Sequence, residues 1–409
     1  MADKVYIDNP GALKIDLMLR GIRLDSALEG HRLFKGRAGK GVDIILPKER
    51  LVNVPCGDEF TKASPYLLHS SGKHYVIAAP KDGRGVPVKV VAPPDFYSRT
   101  TTGGKPFSDI ATLHGSYAVI TPKPVCELFN KNAECRYCAG GFDKVDADSV
   151  VYTVDEVLET AEAILNEGAS DIIYLSIGYS DCDDGGIEFL APYIKALKKH
   201  FRCLVAVEAL PPKGNKWIDE TYGMGADSVL YNLELYDKEL FETICPGLAR
   251  TIGRDRYIEA LKYAATIFPN GTVASHLIVG LEPPGSTRQG IDMLTGMGVV
   301  PILPIYRPRP GRALRIEPLT AEIIIPVYRH LYKAVKENEI NMLWVRDISV
   351  VTTPSEGRAL VGEESRGLTS LYEQFYKTKL GARTAWGLST LRRKLRVRDT
   401  KGLVDSSKN

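Results

Sequence analysis

SYAVITPKPVCELFNKNAECRYC, residues 116–138, sets a short apolar run directly before three closely spaced thiols. SYAVITP (116–122) is rich in β-formers and ends at a proline, so it reads as a buried strand. Cys126, Cys135 and Cys138 then fall within thirteen residues, with Tyr137 inside the last Cys-x-x-Cys and Gly140 and Gly141 just beyond. In parallel α/β proteins the chemistry sits at the carboxyl ends of the strands, which is where a loop following a strand emerges.

Downstream, the chain repeats one rhythm. TVDEVLETAEAILNEG (153–168) is a helix with Thr153 and Glu156 placed as a capping box. DIIYLSIGY (171–179), CLVAVEALP (203–211), DSVLYNLEL (227–235), TVASHLIVGLE (272–282) and VVPILPIYRP (299–308) read as strands. GIEFLAPYIKALKKH (186–200), WIDETYGMG (217–225), RDRYIEALKYAATIF (254–268), about 286–297 and TAEIIIPVYRHLYKAVKEN (320–338) read as the helices between and after them. Val/Ile/Leu-rich strands alternating with amphipathic helices predict a parallel sheet covered by helices. Six strand–helix units are too few for a closed eight-unit barrel. The expected fold class is therefore α/β, a partial (β/α)6 TIM-like barrel over residues 111–340.

Flanking this core, residues 1–110 read as a β-rich N-terminal region, with GVDIILP (41–47), HYVIAAP (74–80) and VPVKVVAP (86–93) as strands and 93–109 as a connector. Residues 341–409 form a C-terminal extension. MLWVRDISVVTT (342–353) reads as a further strand, RRKLRVR (392–398) as a solvated basic stretch, and the tail from about Val397 as flexible.

Composition excludes several classes. Of 409 residues, 44% are hydrophobic and 25% charged, ordinary for a globular protein, and the net charge of +3 calls for neither nucleic acid nor an anionic membrane. No run of 18 apolar residues exists and MADKVYIDNPGALK lacks a signal-peptide core, which places the expectation in the cytoplasm, away from membranes. Seven cysteines, an odd count with three clustered, favour metal binding over a disulfide framework. Three thiolates suit an iron–sulfur cluster with one iron left free of protein ligands. Zinc would want a fourth ligand, for which the loop offers Asp143 or Asp146.

The three cysteines after the first barrel strand, ending in Cys135-Arg136-Tyr137-Cys138, resemble the radical S-adenosylmethionine (radical SAM) superfamily over roughly residues 112–320. The usual spacing is C-x3-C-x2-C, whereas eight residues, Glu127 to Glu134, separate the first pair here. The PPDFY…LHGSYAV preface is also similar to a radical SAM group encoded beside nitrilases. The resemblance implies a 4Fe–4S cluster on Cys126, Cys135 and Cys138, with S-adenosylmethionine chelating the open iron. It further implies reductive cleavage to a 5′-deoxyadenosyl radical, hydrogen abstraction from a small-molecule substrate, and an electron donor such as flavodoxin or ferredoxin. The cofactor contacts it implies are Tyr137, Gly178 in Ser176-Ile177-Gly178-Tyr179, and Glu208 on the third strand. Asn232 and Glu234 resemble the N-x-E of the biotin-synthase-like branch. Gly280 falls in HLIVGLEPPG, similar to a G-x-I-x-G-x-x-E segment, and Arg307 in YRPRPGRAL.

No catalytic side chain stands out. His276 is either a satisfied core histidine or a substrate-facing group, and Asp181, Asp183 and Asp184 of DCDDGG either hold a cationic substrate or form a solvated turn. Cys56, Cys203 and Cys245 form no second cluster motif, Cys182 reads as a plain loop thiol, and no Asp-x-His-x-x-Gly cobalamin signature is present. The alternatives are radical modification of RNA or a peptide, and a non-catalytic iron–sulfur or zinc-binding protein.

Overall fold

The computed structural model describes residues 4–30, 41–72, 74–79, 84–138, 151–307, 314, 316, 319–342, 345–363, 375–376 and 378–405, with side chains to 395. Helix α1 (Pro10–Arg20) starts at Asn9, whose side chain accepts from the Gly11 and Ala12 amides, and ends at Gly21 with φ 65°. A six-stranded sheet follows. Its strands are β1 (Arg23–Leu24), β2 (Gly41–Leu46), β3 (Arg50–Pro55), β4 (Leu67–Ser71), β5 (His74–Ala79) and β6 (Arg84–Val90), in the order β1-β4-β5-β6-β2-β3. Its pairings are antiparallel except for β1 with β4.

After the short helix α2 (Phe107–Ile110), β7 (Ala111–His114) and β8 (Tyr117–Ile120) form an antiparallel hairpin at one edge of a second sheet. The cysteine loop, holding the single-turn helix α3 (Glu127–Asn130), and then α4 (Val154–Glu167) lead to β9 (Ile172–Ser176). The rhythm continues through α5 (Ile187–His200), β10 (Leu204–Glu208), α6 (Lys216–Met224) and β11 (Ser228–Leu230). Three helices, α7 (Lys238–Ile244), α8 (Pro246–Thr251) and α9 (Arg254–Ile267), precede β12 (Val273–His276), and α10 (Pro284–Gly296), β13 (Val300–Ile302) and α11 (Ala321–Glu337) complete it. Strands β8 to β13 are parallel neighbours in sequence order. This is the expected partial (β/α)6 barrel, with the Thr153–Glu156 capping box in place at the start of α4.

Strand alternation sorts the side chains. Ile173, Leu175, Val205, Val207 and Val229 point outward under the helices and are fully buried. Ile172, Tyr174, Ala206, Glu208, Ser228, Leu230, Ala274, His276 and Ile302 line the interior instead. Closed eight-unit barrels fill that space with layers of branched side chains. Ala206, Ser228 and Ala274 are too small to do so, and a cavity of about 660 Å³ remains.

Two C-terminal segments complete the barrel. Residues 345–352 run along its open side: Ser116 N donates to Asp347 O (2.9 Å), Asn53 N donates to Ser349 O (2.7 Å), and Thr352 bridges Leu303 next to β13. The strand expected over 342–353 is therefore corrected to a strap with one isolated bridge, because its carbonyls are taken by the N-terminal sheet and the β7–β8 turn. Residues 343 and 344 lie outside the described residues. The C-terminal helix Lys379–Asp405 covers the floor, where Ala385 packs against Ile172, Leu204 and Ala206. Arg393, expected in a solvated stretch, is only 9% exposed. It donates to Asp227 Oδ1 (2.8 Å) and Ala226 O (3.0 Å), and the helix continues past Val397. No described helix is long and apolar enough to cross a membrane.

Candidate active site

The cysteine loop leaves the carboxyl end of β8 and is pinned to its neighbours by backbone contacts. Glu127 N donates to Tyr179 O (2.8 Å), and Cys138 N closes a turn on Cys135 O (2.9 Å). At Gly178, a Cβ would stand 2.4 Å from Val125 O and 2.9 Å from Cys126 Cβ, so the glycine lets β9 pass against the first cysteine. The eight-residue gap is a built unit. Leu128 in α3 is buried, Gly247 N donates to Ala133 O (3.0 Å), and Arg136 N donates to Ile244 O (2.8 Å). The extra residues thus dock the loop on the junction of α7 and α8.

That docking brings in a residue the motif did not flag. Cys245, fully buried at the start of α8, hydrogen-bonds the Cys135 sulfur. The shared proton lowers the pKa of Cys135 and raises that of Cys245 well above the thiol range. No short-range pattern could signal this contact. Gly140, Gly141, Asp143 and Asp146 lie outside the described residues.

Beside the loop, Glu234 sits in a left-handed conformation (φ 67°) that breaks the strand alternation. Burial, reinforced by Cys135 and Glu208, pushes its carboxyl well above the usual range, and Tyr137 hydrogen-bonds it. Burial likewise raises the Tyr137 phenol, with Glu234 and Cys135 adding to it. Glu234 Oε2 and the Tyr257 hydroxyl are buried without a hydrogen-bond partner among the described residues.

Deeper in the barrel lies a second polar group. Tyr174 Oη donates to Glu208 Oε2 (2.9 Å), and Asn232 Nδ2 donates to Glu208 Oε1 (2.6 Å). Asn232 Oδ1 in turn accepts from His276 N (3.2 Å). The His276 and His114 rings also face the cavity, and burial holds both below the usual imidazole range despite the pull of Glu208. His114 and Tyr174 escaped the sequence reading. Tyr174 shares a strand face with Gly178, a signal that was available, whereas His114 lies on an antiparallel edge strand that was not read.

The other expected positions divide. Arg307, Tyr137, Cys138 and Glu234 line the cavity together, at its rim. Gly280 has φ 99°, and a Cβ there would meet Leu319 Cδ1 at 2.3 Å, so its glycine has a packing reason independent of any ligand. The carboxylates of the acidic loop are engaged locally: Asp181 pairs with Lys131 (3.0 Å), Asp183 pairs with Lys213, and Asp184 accepts from Glu188 N (2.6 Å). Cys182 is exposed, and Cys203 is buried at the start of β10.

Among the described residues no three His, Cys, Asp or Glu side chains stand close enough to hold a metal ion. The donor chemistry nevertheless fits an iron–sulfur cluster. Three thiols share one loop, Gly178 leaves room for the first, and the orphaned Glu234 and Tyr257 atoms stand within electrostatic reach of Cys135. A family model described as the radical SAM superfamily matches residues 124–289, from the cysteine loop through β12 and into α10. This stretch carries a radical SAM superfamily domain.

The cofactors of that superfamily are a 4Fe–4S cluster and S-adenosylmethionine. Among curated proteins, the chain is 25% identical over 239 residues to bacteriochlorophyllide c C-7(1)-hydroxylase of Chlorobaculum limnaeum, covering 53% of this chain and 57% of that one. It is 26% identical over 178 residues to mitochondrial lipoyl synthase of Xenopus laevis, covering 39% and 44%. It thus spans about half the length of the curated relatives it matches. Among solved structures, methylornithine synthase (PylB) aligns with TM-score 0.45 and 14% identity over 67% of this chain and 85% of that one. The [FeFe]-hydrogenase maturase HydG from Carboxydothermus hydrogenoformans aligns with TM-score 0.45 and 15% identity over 54% and 52%.

Proposed function

We propose that the chain takes a hydrogen atom from a small molecule held in the barrel cavity, using Cys126, Cys135 and Cys138 to hold a 4Fe–4S cluster. The chemistry supplied when the cofactors are bound is one-electron cleavage of the sulfonium C–S bond of S-adenosylmethionine. One observation carries this reading: Tyr137 and Cys138 of the cysteine loop are themselves part of the wall of the 660 Å³ cavity. A species generated at the loop therefore enters the barrel chamber, where positioning of the substrate is the protein's contribution.

Around the loop, Gly178 keeps Cys126 in place, Tyr137 and Glu234 orient one another, and Arg307 offers a guanidinium to polar groups of the cofactor, while the Asn232 amide is held between Glu208 and the His276 backbone. Gly280 shapes the turn after β12. The chamber's size falls in the range of small-ligand pockets, and the strap 345–352 closes its side, which favours a small metabolite over RNA or a peptide. An electron donor of the flavodoxin or ferredoxin type completes the scheme.

Anaerobic reconstitution with iron and sulfide, followed by chemical reduction with S-adenosylmethionine, tests it. The expected product is 5′-deoxyadenosine, seen by liquid chromatography. An iron-loaded, reduced protein that leaves S-adenosylmethionine intact would overturn the reading.

A further inference from the structure

Glu208 is a carboxylate without a counter-charge. Its two oxygens each receive one neutral donor, Tyr174 Oη and Asn232 Nδ2, and among the described residues no Lys or Arg forms an ion pair with it. The Lys or Arg in the described lining is Arg307 alone, which lies past the end of β13 and does not pair with Glu208. Each carboxylate oxygen has a further lone pair to offer. An ionised carboxylate in a largely apolar interior is costly unless a cation or further donors reach it.

The surroundings of Glu208 add acceptors. His114 and His276 face the same cavity, and neither ring has a hydrogen-bond partner among the described residues. Held neutral by burial, each imidazole keeps one nitrogen able to accept. Around Glu208 the chamber therefore presents a carboxylate and two imidazoles, with Leu230, Ile278, Ile302 and Ala274 as apolar wall, while Glu234 and Tyr137 lie in the same lining on the side of the cysteine loop. The acidic loop, the other place a cation would be sought, has its carboxylates engaged by Lys131, Lys213 and the Glu188 amide.

We propose that the barrel cavity binds a small organic cation, an amine, amidine or guanidine on a compact apolar body, with Glu208 as its counter-charge and His114 and His276 as acceptors for its N–H groups. Sequence resemblance set Glu208 among the cofactor contacts; its depth, its neutral donors and its histidine neighbours assign it to the substrate. The proposal rests on the preceding reading in taking the cavity as the substrate chamber.

Ligand-observed NMR titration of the full chain, reconstituted anaerobically and saturated with S-adenosylmethionine, tests it with n-butylammonium, n-butanol and butyrate as probes. The expected result is that n-butylammonium binds about tenfold or more tighter than the other two, and that Glu208→Gln erases this preference while S-adenosylmethionine affinity, measured by equilibrium dialysis, is retained. Equal binding of n-butanol and n-butylammonium to the unaltered chain would overturn the proposal without any variant having to fold. A Glu208→Gln chain that keeps the cation preference but loses S-adenosylmethionine would overturn it too, returning Glu208 to the cofactor. Binding is read without turnover, so a chain that binds the cation yet forms no 5′-deoxyadenosine would sink the radical reading alone.

Discussion

Gly178 and Cys126 are packed so closely that the first cysteine of the motif holds its place only because residue 178 has no side chain: a Cβ would stand 2.9 Å from Cys126 Cβ and 3.0 Å from its Cα. Because the conflict is with backbone as well as side chain, Gly178→Ala must displace residues 125–126, at about 1–3 kcal/mol of overpacking. The expected outcome is a folded chain, unchanged in far-UV circular dichroism, that takes up clearly less iron on reconstitution. Wild-type iron content in Gly178→Ala would show that Cys126 is not a ligand or that the loop adapts freely.

Cys245 allows a sharper division among the thiols. It touches Cys135 but comes from a different part of the chain and sits behind the loop, fully buried. Replacing Cys126, Cys135 or Cys138 with Ala should abolish the broad visible absorbance of the cluster in each case. Cys245→Ala should keep full iron at a cost of about 1 kcal/mol for the small void it leaves. Loss of all iron in Cys245→Ala would make it a ligand and reopen the assignment.

Lys14 and Glu356 join helix α1 to the segment that follows the strap. Their ion pair is 2.7 Å long with side chains 0% and 1% exposed, and Lys14 also donates to Ile348 O (3.1 Å) in the strap. Burial pulls the Lys14 pKa down and Glu356 pulls it back up. Truncating one partner leaves an uncompensated buried charge, so Lys14→Ala should cost about 3–5 kcal/mol in urea unfolding. The double variant Lys14→Met, Glu356→Leu should recover most of that loss. A Lys14→Ala variant as stable as the parent would mean that the pair is open to water in solution.

The cavity histidines set part of the acid response. Burial lowers the folded-state pKa of His114 and His276 below the unfolded value. Between those two values the unfolded imidazoles bind more protons, so the histidine contribution to the unfolding free energy falls as pH drops below about 6.5 and is constant above it, opposed by Glu234, whose raised carboxyl contributes with the opposite sign. Chemical unfolding followed between pH 7.5 and pH 5 should show this slope, and His276→Gln should flatten it. An unchanged slope in that variant would show that His276 is already solvated in the folded chain.

Local physics decided the elements, and they were legible. The capping box at Thr153, the 3.6-residue period of 254–268 and the Val/Ile-rich runs of the barrel depend on neighbours within one turn or one strand, and each became the expected helix or strand, whereas the run 342–353 became a strap. The thiols after the first barrel strand were legible for the same reason. Helices α7 and α8 were not, since 236–253 is a run of short pieces with no sustained period. Tyr174 lay within reach of simple alternation from Gly178.

By itself, the sequence determined the strand–helix order, the placement of three thiols at the carboxyl end of a parallel strand, and hence the resemblance to the radical SAM superfamily. Tertiary structure alone decided what surrounds them. Cys245 against Cys135, the Tyr174–Glu208–Asn232 hydrogen bonds, Arg393 turned in to Asp227, and the strap that closes the open side all join residues far apart in the chain. Propensity and periodicity act over a few residues, whereas a hydrogen bond or an ion pair answers only to distance in space. The same holds for the eight-residue gap: its length is plain in the sequence, and its purpose, docking the cysteine loop on the start of α8, exists only once the barrel has brought the two together.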